Sequence, residues 1–254
     1  MLFTVDVGNT NILFGVFRGK EIVNHWRIGT DKTKTSDEYG VLFRNLLDIG
    51  GVELKSIDGA VISCVVPILL EVIVNTLKLY FDVNPIVVEP GIKTGMPILY
   101  QNPKEVGADR IVNALAAYNQ CKSSVIVVDF GTATTFDCVS EQGEYLGGTI
   151  ATGITVSAEA LFGTASKLPK VEIITPKTVI GKNTVHSIQA GLVYGYAGLV
   201  DGIVERIKKE MGTNPRVVGT GGLANIIASE SKTIESIDDL LSLKGLRLVY
   251  EWNK

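Results

Sequence analysis

A chain of 254 residues, 46% of them apolar, has the material for two ordinary domains with proper cores. Its net charge of −3 comes without a basic block, so the electrostatic footprint of a nucleic-acid binder is missing. No uncharged apolar run approaches the roughly 20 residues a bilayer needs, no basic leader precedes an apolar stretch, and Cys64, Cys121 and Cys138 stand singly; a cytoplasmic protein with no membrane partner is expected.

The chain opens on L-F-T-V-D-V-G-N-T-N-I-L-F-G-V-F, and residues 2–29 read as three antiparallel strands, Leu2–Asp6, Ile12–Phe17 and Glu21–Ile28. His25 lies in an alternating strand with no partner nearby and reads as an edge residue. Ser36 is the expected N-cap of a helix Asp37–Ile49, apolar at Val41, Leu42, Leu46 and Leu47 and stopped by Gly50-Gly51. A buried strand Gly59–Val66, a helix Ile68–Leu79 and a strand Pro85–Val88 follow. Pro90–Pro103 then breaks the pattern with three prolines and two glycines, a length of loop that usually carries function. It leads into G-A-D-R. From Ala108 the spacing of Ile111, Leu115 and Tyr118 makes a helix, with Asp109 and Arg110 in its first turn beside the positive helix end.

The stretch Val125–Asp137, V-I-V-V-D-F-G-T-A-T-T-F-D, is a buried strand that turns over at Gly131 into a hairpin rich in hydroxyls. A carboxylate beside open backbone N–H groups and hydroxyls suits a phosphate and its cation. Ser157–Leu161 begins a helix, residues 168–184 are irregular, and Val185–Glu210 is a long helix. Its Gly191, Gly195, Gly198 and Gly202 share one face. Each costs about 1 kcal/mol relative to Ala, so another backbone, of the same subunit or of a second one, is expected to approach there. Pro215–Gly222 is a strand running into Gly219-Thr220-Gly221-Gly222.

The hairpin at Asp129 repeats the N-terminus. Asp6 aligns with Asp129, Gly8 with Gly131 and Asn9 with Thr132, and both copies continue into strand, polar turn and strand. A repeat of domain length means two similar folds, each with its own strand-turn phosphate cradle. No P-loop, dinucleotide fingerprint or H-E-x-x-H is present, so a nucleotide site has to be of the two-hairpin kind.

D-x-G-N-T at the start and D-x-G-T-A-T in the middle resemble the paired phosphate loops of the acetate and sugar kinase, heat-shock chaperone and actin superfamily. With G-A-D-R after the long loop and Leu243-Lys244-Gly245-Leu246 in the tail, the chain resembles the type III pantothenate kinases nearly end to end. The resemblance implies an α/β fold of two ribonuclease H-like domains (duplicated β-β-β-α-β-α-β-α) facing a central ATP cleft, with expected bounds 1–118 and 119–254. It implies ATP-dependent phosphorylation of pantothenate to 4'-phosphopantothenate, the first step of coenzyme A synthesis. Asp6, Val7, Gly8, Asn9, Thr10, Asn11, Ile12, Leu13 and Thr132 are then the ATP-binding residues, and Asp109 the catalytic base. Tyr100, Gly107, Ala108, Asp109 and Arg110 hold pantothenate, joined by Thr184 from the second subunit of a homodimer. Asp6 holds Mg²⁺ through water and Asp129 a monovalent cation, K⁺ or ammonium. Family members usually carry Pro before the glycine that is Gly153 here, where this chain has Thr152. Two other readings share the phosphate loops: an ATPase acting as chaperone or accessory regulator needs no G-A-D-R, and a kinase for another small alcohol or acid alters Tyr100 and Arg110.

Overall fold

Alternation of apolar side chains sets the first sheet. Phe3, Val5 and Val7 of β1 (Leu2–Val7) and Ile12, Phe14 and Val16 of β2 (Asn11–Arg18) point to one face. β2 pairs antiparallel with β1 and with β3 (Glu21–Gly29). These strands agree with the expected ones to within one residue at each end. β4 (Gly59–Cys64) joins the free edge of β1 in parallel, β5 (Ile86–Val87) follows, and the sheet order is β3-β2-β1-β4-β5. The computed structural model describes residues 1–254. It divides into one unit of Met1–Ala116 with Leu241–Lys254 and another of Ala117–Leu240.

In the first unit, α1 (Ser36–Ile49) and α2 (Pro67–Phe81) cover the apolar face, burying Tyr39, Phe43, Leu47, Leu69 and Ile73 against it. Phe14 and Phe43 pack with ring centroids 4.7 Å apart. The α1 cap is Thr35, not Ser36. Its Oγ1 accepts from Glu38 N while Glu38 accepts from Thr35 N, a reciprocal box that Ser36 could not close. α2 begins on Pro67, one residue before the expected start, because proline suits the first helical position.

The opposite face of this sheet is covered by the C-terminal helix α7 (Leu241–Asn253). Leu243 lies against Gly15, the Arg247 guanidinium sits 6.0 Å above the Phe17 ring, and Tyr250 fills the space over Gly59. Gly245 approaches so closely that a Cβ there would lie 2.0 Å from the Val112 carbonyl oxygen. From the sequence, residues 241–254 are placed with the second half. Their apolar side chains are instead buried in the first unit, against β1, β2 and β4.

The second unit repeats the plan. β6 (Val125–Phe130), β7 (Ala133–Val139) and β8 (Tyr145–Thr152) form an antiparallel meander, while β9 (Arg216–Thr220) and β10 (Ser236–Ile237) run parallel to β6, in the order β10-β9-β6-β7-β8. Ile126, Val128, Phe130, Phe136 and Val217 meet Ile188, Leu192, Val193 and Tyr196 of the long helix α5 (Thr184–Met211). An extra helix, α4 (Ile154–Thr164), precedes it, and the short α6 (Ala224–Ala228) follows β9. The link between the units is α3 (Ala108–Cys121), within which the division falls.

Candidate active site

The turn between β1 and β2 is closed by Gly8 N donating to the Asn11 carbonyl at 3.0 Å. A strap holds it from the side: Thr30, just past β3, donates its hydroxyl to the Gly8 carbonyl at 2.7 Å and its N–H to the Thr10 carbonyl at 3.0 Å. The turn of the second unit is closed and strapped in a related way, one residue tighter and by a backbone bond alone. Gly131 N donates to the Ala133 carbonyl at 3.0 Å, and Gly153, just past β8, donates to the Thr132 carbonyl at 3.1 Å. Thr30 and Gly153 are 123 residues apart, the same spacing as Asp6 and Asp129.

Asp6 ends β1 on the face shared with α7. Register places Leu13 beside it on β2 and Ser63 beside it on β4, with Arg27 of β3 next in the same row. Burial, reinforced by the Asp109 carboxylate, pushes the Asp6 carboxyl up from 3.8 to about 7; Ser242, Ser63 and Arg27 pull the other way. Two acidic groups therefore converge at this strand end, a place that favours an added cation.

Asp109 sits at the second residue of α3. Burial raises its pKa as well, opposed by the Arg110 backbone N–H, which donates to Asp109 Oδ1 at 2.8 Å, and by the Arg110 charge. Arg110 is only 8% exposed, which excludes a surface ion pair of the ordinary kind. Gly107 stands where a Cβ would be 2.5 Å from Asp109 Oδ1, so the glycine clears the carboxylate. The half-buried Tyr100 follows in the shaped loop, and its hydroxyl makes no hydrogen bond to the chain. Asp6, Gly107, Asp109 and Arg110 are thus gathered in one unit, whereas Tyr100 has no direct bond to them.

Asp129 occupies the end of β6 as Asp6 does that of β1, with Thr135 and Thr220 as register neighbours. Gly221 has φ +95°, and a Cβ there would lie 2.6 Å from Asp129 Oδ1. Gly153 is as tightly placed, with the Thr132 carbonyl oxygen 2.3 Å from its would-be Cβ. Thr152 holds this turn without a proline ring: it pairs with Ala133, and its carbonyl accepts from the Tyr196 hydroxyl at 2.9 Å. The Thr134 hydroxyl is fully buried and has no hydrogen-bond partner. No group of three or more His, Cys, Asp or Glu is assembled, so a cation here has single carboxylates, water and ligand oxygens to rest on.

Thr184 is exposed at the first residue of α5, behind the N-cap Asn183, which accepts from His186 N at 2.9 Å. His186 is therefore a helix-start contact. Thr184 borders a cavity of about 800 Å³ with Ser157, Leu161, Leu168 and Ile188. Farther along α5, nothing lies within 4 Å of where a Cβ would stand at Gly191, Gly195 or Gly198, and Gly202 meets only its own helix's Arg206. No backbone of the same unit fills that stripe.

Ser63, Ser242, Arg27 and Thr30 were not singled out from sequence. Extending the repeat past its first turn would have reached Thr30. The other three depend on register and on the return of α7, which carry no local motif.

The type III pantothenate kinase family model matches residues 2–206. A type III pantothenate kinase of Syntrophus aciditrophicus is 58% identical over 253 residues, covering 100% of both chains. One from Geobacter sulfurreducens is 56% identical, again over 100% of both. Among solved structures, component A of (R)-2-hydroxyglutaryl-CoA dehydratase from Acidaminococcus fermentans superposes with a TM-score of 0.56 at 16% identity, covering 98% of this chain and 97% of that one. The ethanolamine utilization protein EutJ of Carboxydothermus hydrogenoformans gives 0.60 at 16% identity, with coverage of 97% and 89%. These last two bear on the fold alone.

Proposed function

The chain belongs to the type III pantothenate kinase family, and on that premise we propose how its residues divide the work of phosphorylating pantothenate with ATP. The observation that carries the assignment is the half-buried Asp109 carboxylate at the start of α3, cleared by Gly107 and accepting from the Arg110 N–H at 2.8 Å. Phosphoryl transfer asks mainly for positioning and for neutralised charge. The amides and hydroxyls of Gly8–Asn11, with Val7, Ile12 and Leu13 as their strand supports, take phosphate oxygens of ATP, and Gly131–Thr134 take others. Gly219-Thr220-Gly221-Gly222 gives the adenosine a flat approach.

The Asp6 carboxyl, raised by burial and by Asp109, would be favoured in its ionised form by a divalent cation held through water. Bound with ATP, the cation neutralises phosphate charge. Asp129 takes a monovalent cation, K⁺ or ammonium. Asp109 accepts the proton of the attacking pantothenate hydroxyl; its burial moves it toward neutral pH, where a general base works best. Arg110 and Tyr100 hold the vitamin against the Gly107 and Ala108 backbone. The enzyme works in the cytoplasm as a homodimer built on the open glycine stripe of α5, with Thr184 serving the partner's site.

Coupled ATP consumption tests the substrate: pantothenate alone among small alcohols should stimulate it, and equal stimulation by another alcohol refutes the assignment. A mixture of Asp109→Asn and Thr184→Arg subunits, each inactive alone, tests the shared site. Random exchange should restore roughly a quarter of wild-type activity, because half the dimers are mixed with one working site in two.

A further inference from the structure

Asp6 is flanked by two hydroxyls from distant parts of the chain. Ser63 lies beside it in register on β4, and Ser242 is the second residue of α7, the helix packed on β1 and β4. Both are buried, at 0% and 7% exposure. Ser63 Oγ makes no full hydrogen bond although it is sealed from water. An orphaned buried hydroxyl is a cost unless something gives it a partner. Its register neighbour on β1 is Asp6. The second unit has the same placement, with the buried Thr220 beside Asp129 in register on the matching strand. A buried hydroxyl beside the strand-end carboxylate in both halves points to a task at the carboxylate. Core packing alone would have been served by Val or Ala.

We propose that Ser63 and Ser242 are positioning residues that clamp the Asp6 carboxylate in the orientation from which it receives the water shell of the divalent cation. The proposal rests on the reading of Asp6 given above. The clamp acts through Asp6 and does not touch the transferred group. Groups that hold a metal-facing carboxylate in place are commonly worth 10–100-fold in metal affinity, on the order expected here. Because Ser242 arrives on α7, the last segment of the chain completes a site begun at residue 6.

The test is Mn²⁺ binding, read by electron paramagnetic resonance in the presence of a non-hydrolysable ATP analogue, together with the thermal midpoint of each protein. Ser63→Ala and Ser242→Ala should each weaken Mn²⁺ binding roughly 10–100-fold. Ser63→Ala should not lower the midpoint, since it removes no complete hydrogen bond. Ser63→Thr, which keeps the hydroxyl, should recover binding to within about threefold. Binding within about twofold of wild type in both alanine variants would overturn the clamp. So would a loss that tracks a lowered midpoint and is not recovered by Ser63→Thr. Asp6→Asn separates the two levels: if it leaves Mn²⁺ binding intact, the premise fails and the proposal with it. If Asp6→Asn abolishes binding while the serine variants do not weaken it, only the clamp is refuted.

Discussion

Replacing Asp6 by Asn should stabilise the metal-free protein, and more so as pH rises. The Asp6 carboxyl stands at about 7 in the folded chain against an ordinary 3.8, so between those values the folded state holds a proton that the unfolded state has released. Stability from this group is fully present below about pH 4 and is lost as pH rises through about 7. Moving a carboxyl that far corresponds to about 4 kcal/mol. Part of Asp6 reaches solvent, which brings the expectation to about 2–4 kcal/mol. Asp109 is present in both proteins, so the difference isolates Asp6 together with its repulsion from Asp109. Both tryptophans, Trp26 and Trp252, belong to the unit that contains Asp6. Their fluorescence during urea unfolding in EDTA, at pH 4.5 and at pH 8, therefore reads the right part of the molecule. The gap between Asp6→Asn and wild type should open by about 2–4 kcal/mol between the two conditions. Parallel stability curves, or a gap that widens toward acid, would refute the reasoning. Added Mg²⁺ with ATP should close the gap by favouring the ionised wild-type carboxylate.

Asp109→Asn should lower kcat by roughly 10²–10⁴-fold while a fluorescent ATP analogue still binds; retention of more than about a tenth of kcat excludes Asp109 as the base. Gly153→Ala drives a methyl to 2.3 Å from the Thr132 carbonyl oxygen and 2.5 Å from that of Gly131. Steady-state kinetics should show a loss on the order of 10²-fold in kcat/KM for ATP. Replacing K⁺ by a bulky organic cation, at fixed Mg²⁺ and ionic strength, should cut turnover; unchanged turnover dismisses the cation at Asp129. Gly195→Leu should split the dimer in light scattering, whereas Gly195→Ala meets nothing within 4 Å in its own chain and should add about 1 kcal/mol of helix propensity to a monomer.

The first meander was legible because β1 and β2 are apolar runs bounded by polar turns and β3 alternates strictly, and the repeat doubled the signal at β6 and β7. Asp6 and Asp129 stand out in the sequence because each lies where an apolar run meets glycine, and Asp109 because it opens a helix in G-A-D-R. The cap at Thr35 was misplaced by one residue because Thr35 and Ser36 are both good caps, and only the Glu38 geometry separates them. Ser63 and Ser242 were invisible for a deeper reason. A serine inside V-I-S-C or L-S-L-K has no pattern of its own, and its meaning comes from which strand or helix ends beside Asp6. The placement of residues 241–254 is likewise a long-range outcome, set by packing against strands more than 170 residues earlier in the chain.

The first unit is written in two pieces, with residues 117–240 between them. On a ribosome adding roughly 5–20 residues each second, the interval between emergence of the two pieces is about 6–25 s. During it the sheet face that α7 will cover, with Leu13, Phe17 and Val61, stays wet, while the uninterrupted second unit has all its strands in hand and can close first. Birth order is thus inverted: the end of the protein made first is finished last. A release factor or a fused carrier that delays Leu241–Asn253 would hold back completion of a sheet whose first strand was encoded some 240 residues earlier.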